Sequence, residues 1–381
     1  MNDKNTKYFH SLAKFKKRNN AIQELLVDGT PVNDTKRMLG EFEAWYKDLW
    51  KWEDTALVDW NSMKQLNWKR IPQRIHGELS KDFSSIEIME AMSSLGKGKA
   101  PGPDGFNLEF FLNFWSIIQD SYMAEIESLS ESCSLPEAWR NTNLIFIPKI
   151  DNPRVVKEYR PIALCNVAYK ILSKAIVNRI KQWIDKIISK EQTAIVGNKN
   201  LHDNILILSE VVNIISKSKR KKPFFIMKLD LEKAFDRVDW DAIKGICKCM
   251  NFPRVAISPH GKICNSGEIK VFKFKEISVS HIFFADDIIM IVKCCKRSVS
   301  NVKEVLNQYG EITNQRINFQ KSELYFPGAY PSEKRKDICK LLGIKEGVFP
   351  LKYLGANVVQ GKPTISIQRQ VFGKAKNKLD C

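Results

Sequence analysis

The stretch Ser280-His-Ile-Phe-Phe-Ala-Asp286-Asp287-Ile-Ile-Met-Ile-Val292 decides how this chain reads. Two apolar, strand-like runs flank two adjacent aspartates. The pattern predicts a β-hairpin with Asp286 and Asp287 at its tip. Like charges held between apolar strands repel each other and lose hydration, so the pair calls for a compensating charge. Divalent magnesium, which prefers carboxylate oxygen, supplies one. Taken alone, Ala-Asp-Asp reads equally well as an ordinary turn.

A second carboxylate gives the pair its meaning. Phe224-Phe-Ile-Met-Lys-Leu229 is another strand-like apolar run, and it ends in Asp230. A helix is expected from about Val238 to Met250. A carboxylate at the end of a buried strand needs a partner, and Lys228, Lys233 or a cation would serve. One strand-ending carboxylate and a pair from a neighbouring hairpin suit two magnesium ions roughly 3.5 to 4 Å apart, which can bind both oxygens of an in-line phosphoryl displacement.

The remaining elements are read outward from this centre. Ser84 and Glu87 form a capping box for a helix whose face carries Ile88, Met92 and Leu95, and Gly96 is expected to end it in a left-handed turn. Lys97-Gly-Lys-Ala-Pro-Gly-Pro-Asp-Gly105 is a rigid basic turn. It is no phosphate loop, because Pro101 and Pro103 remove amide donors. Asn143-Leu-Ile-Phe-Ile-Pro148 reads as a short buried strand followed by Lys149, with Arg160 in a turn. A long amphipathic helix carries Ile171, Leu172, Ile176, Ile180, Trp183 and Ile187, and another runs from about Leu201 to Ser216. The charge run Lys217-Ser-Lys-Arg-Lys-Lys222 reads as a solvated loop. Trp45, Tyr46, Trp50, Trp52, Trp60 and Trp68 follow the basic run Lys14 to Arg18. Packing between helices explains these rings better than stacking on a single strand.

Composition narrows the partner. The 381 residues carry 61 Lys+Arg against 43 Asp+Glu, a formal charge of +18 spread over the whole chain. A polyanion is the natural partner, since each basic group laid on a phosphate releases counterions. No stretch reaches the ~18 to 20 apolar residues that span a bilayer. The nine cysteines are scattered without a C-x-x-C pair, which speaks for free thiols over a zinc site.

At this point a resemblance enters. Leu229-Asp-Leu-Glu-Lys-Ala-Phe-Asp-Arg-Val-Asp-Trp240 and Phe283-Phe-Ala-Asp-Asp287 resemble the two carboxylate motifs of reverse transcriptases, most of all those of plant non-LTR (LINE-type) retrotransposons. Gly98 to Phe106, Leu144 to Lys149, Tyr159 to Leu164, Ile317 to Ser322 and Tyr353 to Gly355 resemble further elements of the family, in the family's order. The resemblance implies an α+β fold, a right-hand polymerase with fingers and an antiparallel palm sheet. It implies an extension at 1–80, fingers at 81–222, a palm at 223–326 and a primer-grip region at 327–381. Asp230, Asp286 and Asp287 would hold two Mg2+ ions, with Mn2+ as a substitute. Lys149 and Arg160 would contact the phosphates of the incoming nucleotide. Phe235 would lie against its sugar and disfavour a 2′-hydroxyl. Lys321 would protonate the leaving pyrophosphate, and Tyr353, Leu354 and Gly355 would lie at the primer. The partners implied are an RNA template, a DNA primer and deoxynucleoside triphosphates, and the place of action is the nucleus.

The chain also departs from the family. Asp230 and Asp286 are 56 positions apart, several tens fewer than the family keeps. No Gln-Gly loop and no Pro-Leu-Ser-Pro-like helix start lies between Phe252 and Ser280. Without the missing helix an apolar sheet face would lie open, so the expectation is an internally deleted palm that is poorly stable or repacked, with weak or absent polymerase activity. Both ends read as cut, as in a degenerate fragment or a spliced gene model. The competing reading is a remnant that binds nucleic acid by charge without polymerising. An unrelated metal-dependent nuclease or phosphatase leaves the other motifs unexplained.

Overall fold

The computed structural model describes residues 7–8, 10–11, 14–15, 21–50, 60, 68–132, 135–188, 192, 201–218, 223–234, 236–253, 272–274, 277–279 and 281–361. The chain divides into two compact units interleaved in sequence: Met1–Trp52 with Lys81–Arg179, and Glu53–Ser80 with Ile180–Cys381. These borders follow compactness and differ from the four stretches that the motifs delimit. Phe235, Arg220 to Lys222 and the segment 254–271 lie outside the described residues.

In the first unit, strands β1 (Leu25–Val27) and β2 (Thr30–Val32) form a hairpin. Asp28 and Gly29 turn it with φ of 50° and 77°, the left-handed pair that suits the twist of two strands. Helix α1 (Thr35–Leu49) is capped by Asp34, whose carboxylate accepts the Arg37 amide at 2.8 Å. Helix α2 (Ser85–Ser93) starts with the expected capping box, Ser84 and Glu87 each accepting the other's amide. It ends at Ser94 without help from Gly96. The left-handed residue of the following turn is Gly98, with φ 69°.

Helix α3 (Leu108–Ser132) and the first half of α4 (Val167–Ile187) pack with α2 in one core built on Ile88, Met92, Phe111, Trp115, Ile171 and Leu172. Strands β3 (Thr142–Pro148) and β4 (Tyr159–Cys165) form an antiparallel ribbon. Its Phe146 stacks on Phe42 of α1, ring centres 4.1 Å apart. The ribbon corrects two expectations. Its other face carries Ile145, Ile147 and Ile162 at 46%, 36% and 41% exposure, so β3 is not a buried strand. Arg160 sits in β4, paired with Ile147, rather than in a turn.

The second unit contains α5 (Leu201–Ser216), β5 (Phe224–Leu229), β6 (Leu231–Glu232), α6 (Trp240–Cys249), β7 (Phe272–Phe274), β8 (Ile277–Val279), β9 (His281–Phe284), β10 (Asp287–Lys293), α7 (Lys296–Thr313), β11 (Arg316–Ile317), β12 (Glu323–Tyr325), α8 (Ser332–Leu342), β13 (Lys345–Glu346), β14 (Leu351–Tyr353) and β15 (Ala356–Val358). Five strands form its main sheet in the order β13-β12-β5-β10-β9. All pairs in it are antiparallel except β12 with β13.

Strand β5 lies at the centre with both faces covered, which is why its sequence is continuously apolar rather than alternating. Phe225, Met227 and Leu229 face α7 and α8, meeting Val299, Val302, Leu306, Ile338 and Leu342. Phe224 and Ile226 face the other way, onto Leu208, Val211 and Val212 of α5 and onto Leu351 and Tyr353. Phe225, Ile226, Met227 and Leu229 are at most 1% exposed, each contributing about 1.5–3 kcal/mol of burial. The expected uncovered sheet face is therefore absent around β5. Helix α5 and the β14–β15 hairpin cover one side, and α7 with α8 cover the other.

Of the N-terminal tryptophans, Trp45, Trp60 and Trp68 pack as expected, Trp50 is exposed, and Trp52 lies outside the described residues. Trp68 is buried with Ile71, Ile187, Ile246 and Met250, and Trp60 packs against the same group. Cys247, Cys249 and Cys294 are buried cysteines. No helix among the described residues is long and apolar enough to cross a membrane.

Candidate active site

The apolar run of β5 stops at Asp230. Its ladder with β10 runs from Phe224 opposite Lys293 to Leu229 opposite Ile288. One further step of that register sets Asp230 beside Asp287, the first residue of β10. Directly opposed residues of an antiparallel pair point to one face. Lys228, two residues before Asp230, shares that face by the period of the strand.

The hairpin is as the sequence predicts, with one refinement. Its tip is Ala285-Asp286, because Phe284 and Asp287 are the last paired residues. Asp286 is exposed, whereas Asp230 and Asp287 are half-buried. Ala285 has φ 53°, a conformation that costs a residue with a Cβ roughly 1 kcal/mol or more. Its amide donates to the Gln192 side-chain oxygen at 3.3 Å, and Gln192 also forms a β-bridge to Phe283.

Electrostatics follow from this placement. Burial pushes the Asp230 carboxyl above the ordinary carboxylate range. Lys321 opposes that, Asp286 adds to it and Lys228 opposes it. Burial likewise raises Asp287, where Lys228 opposes and Asp286 and Asp230 add. Asp286 thus acts on both half-buried aspartates and Asp230 on Asp287, and Lys228 and Lys321 are the ammonium groups that act on Asp230.

The backbone of Asp230 is held firmly. Its carbonyl accepts the Asn318 amide at 2.8 Å, and its own amide donates to the Ser322 hydroxyl at 3.2 Å. Lys228 Nζ donates to the Lys352 carbonyl at 2.9 Å, tying β5 to β14. Tyr353 is 1% exposed, and burial pushes its phenol up to about 12. Asn204 of α5 donates to the Tyr353 hydroxyl at 3.4 Å and to the Phe283 carbonyl at 3.3 Å. Leu354 and Gly355 form the β14–β15 turn, both left-handed with φ of 49° and 79°.

The structure thus brings together Asp230, Asp286, Asp287 and Lys321 within the second unit, and Tyr353 contributes to the same unit's core. Lys149 and Arg160 belong to the first unit. The β3–β4 register puts them on one face of the ribbon, both exposed, with Lys149 Nζ donating to the Lys157 carbonyl at 2.6 Å. Phe235 lies outside the described residues. Reading the sequence missed Ser322, Asn318, Asn204 and Gln192. Ser322 carries a weak signal, as the neighbour of Lys321. Gln192 and Asn204 carry none, since their partners are distant in the chain.

Among the described residues, no group of three or more His, Cys, Asp or Glu side chains is gathered closely enough to hold a metal ion as it stands. The donor chemistry nevertheless fits a hard divalent cation: two half-buried carboxylates with raised proton affinity and a third exposed beside them. A bound cation removes the repulsion that the three otherwise bear.

Residues 147–277 match the family model described as reverse transcriptase (RNA-dependent DNA polymerase). The matched stretch includes Lys149, Arg160 and Asp230 and stops short of Asp286. Over 255 residues, 66% of this chain and 19% of the relative, the chain is 27% identical to the transposon TX1 uncharacterized 149 kDa protein of Xenopus laevis. Over 175 residues, 42% of this chain and 18% of the relative, it is 28% identical to the RNA-directed DNA polymerase from mobile element jockey of Drosophila melanogaster. The chain spans about a fifth of the length of these relatives. It carries a reverse-transcriptase-like segment of the kind that transposon proteins encode.

Proposed function

We propose that this chain is the reverse transcriptase region of a LINE-type retroelement, adding deoxynucleotides to a primer 3′ end on an RNA template. The register that sets Asp230 beside Asp287, with Asp286 on the adjoining turn, is the observation that carries the reading. Asp230, Asp286 and Asp287 would hold two Mg2+ ions. Bound there, the ions would supply activation of the primer hydroxyl and charge stabilisation for the leaving pyrophosphate.

The chain's own residues do the rest. Lys149 and Arg160, on one exposed face of the β3–β4 ribbon, bind the phosphates of the incoming nucleotide, the guanidinium as a two-donor fork. Lys321 donates a proton to the departing pyrophosphate. Leu354 and Gly355 present their turn to the primer, with the buried Tyr353 fixing its base. Phe235 disfavours a 2′-hydroxyl. The second unit serves as palm and the first as fingers. The formal charge of +18 holds the nucleic acid.

Primer extension on an RNA template with Mg2+ tests the reading. Incorporation that disappears in Asp230→Ala and Asp286→Ala supports it. A second reading, a remnant that binds nucleic acid without polymerising, draws on the absence of a gathered metal site among the described residues. Salt-sensitive binding without incorporation supports that one.

A further inference from the structure

At Asp230 the strand ladder changes partners. Before it, β5 pairs with β10 and β12. After it, β6 pairs with β11, Leu231 opposite Ile317. Asp230 falls in the gap, and its peptide is held by the turn 318–322. Asn318 N–H donates to the Asp230 carbonyl at 2.8 Å. The Ser322 hydroxyl accepts the Asp230 amide at 3.2 Å and donates to the Asn318 carbonyl at 2.8 Å. The Asn318 side chain closes the turn by accepting the Lys321 amide at 3.1 Å. Ser322 is fully buried, and its hydroxyl is engaged in both directions, as a buried hydroxyl should be.

We infer that Ser322 is a positioning residue for Asp230: its hydroxyl locks the Asn318–Ser322 turn to the end of β5, fixing the Asp230 carboxylate beside Asp287 and Lys321 for cation binding. Without the hydroxyl, the Asp230 amide loses this acceptor, and the Asn318 N–H bond to the Asp230 carbonyl is left to tie the turn to the strand end. The looser tie lets the carboxylate drift from its register with Asp287. Lys321, on the same turn, loses its fixed relation to Asp230 at the same time. One hydroxyl therefore sets both the cation-binding group and its counter-charge. The inference rests on the reading of Asp230 as a cation-holding carboxylate.

The test uses the full chain and Mn2+, whose free ion gives a paramagnetic resonance signal that falls on binding. Wild type, Ser322→Ala, Ser322→Thr and Asp230→Ala are compared for Mn2+ affinity, melting temperature and primer extension. Ser322→Ala is expected to weaken Mn2+ binding about 10-fold, Ser322→Thr to restore it, and Asp230→Ala to abolish it. Wild-type affinity in Ser322→Ala overturns the inference. So does a threonine variant as weak as the alanine one, or a wild-type chain that binds no Mn2+. Should Ser322→Ala fail to fold, Ser322→Cys, of similar size and weaker hydrogen bonding, must bind Mn2+ more weakly than wild type for the inference to stand. Mn2+ affinity that tracks Ser322 in a chain that extends no primer sinks the polymerase reading and leaves the positioning role supported.

Discussion

Asp287 stands beside Asp230, one ladder step past the Ile288–Leu229 pair. Each is half-buried, which raises its proton affinity; Asp286 adds to both, and Asp230 adds to Asp287. The folded state thus binds protons more tightly than the unfolded chain at these positions. Their contribution favours folding below the ordinary carboxylate range and is lost as pH rises through the raised values. Without divalent cations, Asp287→Asn should melt higher than wild type at neutral pH, by ~2–4 °C, what about 1 kcal/mol gives in a unit of this size. The gap should close as pH falls below the carboxylate range, and Mg2+ should stabilise only the wild type. Superimposable melting curves across pH 3 to 8, roughly the window in which carboxylates ionise, contradict this.

The first unit depends on Arg179. Its guanidinium, 10% exposed, bonds Glu87 at 2.7 and 2.9 Å, donates to the carbonyls of Lys81 and Asp82, and lies over the Phe83 ring at 3.8 Å. Arg179→Ala should cost about 2–4 kcal/mol. Arg179→Lys should rescue little, since an ammonium cannot reproduce the fork. The Arg179 bond holds the Glu87 carboxyl down at about 2. That stability is complete above the usual carboxylate value and lost as pH falls toward about 2. Glu87 is 33% exposed, so solvent screening limits the acid-labile part to about 1–2 kcal/mol. Acid unfolding of Glu87→Gln against wild type measures it.

Trp60 lies flat against Gly245 of α6. A Cβ on Gly245 would stand 2.2 Å from the indole. Gly245→Ala should therefore destabilise by about 1–3 kcal/mol despite the gain in helix propensity. Trimming the ring in Gly245→Ala/Trp60→Ala should make the two changes non-additive, read from denaturant midpoints in a double-mutant cycle.

Tyr353 separates packing from hydrogen bonding. Tyr353→Phe removes the acceptor for Asn204 and should cost about 1 kcal/mol. Tyr353→Ala opens a cavity between α5 and the sheet and should cost about 3–5 kcal/mol. Equal losses in the two variants, measured by urea denaturation, exclude this account.

Arg160 is exposed on its ribbon, so Arg160→Ala should leave stability within about 0.5 kcal/mol of wild type. Under the proposed function the same change raises the nucleotide KM about tenfold, through loss of charge-assisted bonds worth about 1.5 kcal/mol. Steady-state primer extension at varied nucleotide concentration reads it.

Much of this was legible in the residues. The strand Phe224–Leu229, the helix Leu201–Ser216 and the Ser84–Glu87 box coincide with their patterns, because periodicity and caps are local. The aspartate hairpin was legible too, though its tip falls one residue earlier, on Ala285-Asp286. Burial was less so. The apolar run in β3 reads as core, yet its ribbon covers only one face. Conversely, the sheet's second cover came partly from the β14–β15 hairpin, more than a hundred residues away, which no window along the chain relates to β5. Gln192, Asn204 and Ser322 escaped for the same reason: a polar residue shows its role only through a partner brought by the fold.

The central place of β5 has a consequence for biosynthesis. Its sheet partners are β10, which ends at Lys293, and β12, which ends at Tyr325. The first unit is fully translated at Arg179 and is free to fold while the rest is still being made. Strand β5 must instead wait for nearly a hundred further residues, roughly 5 to 20 s at ordinary elongation rates. Until β10 is complete at Lys293, Phe224-Phe-Ile-Met-Lys-Leu229 is an unpaired, almost uncharged β-forming segment, the kind that aggregates or recruits chaperones. The strand that presents Asp230 is thus also a liability as it leaves the ribosome.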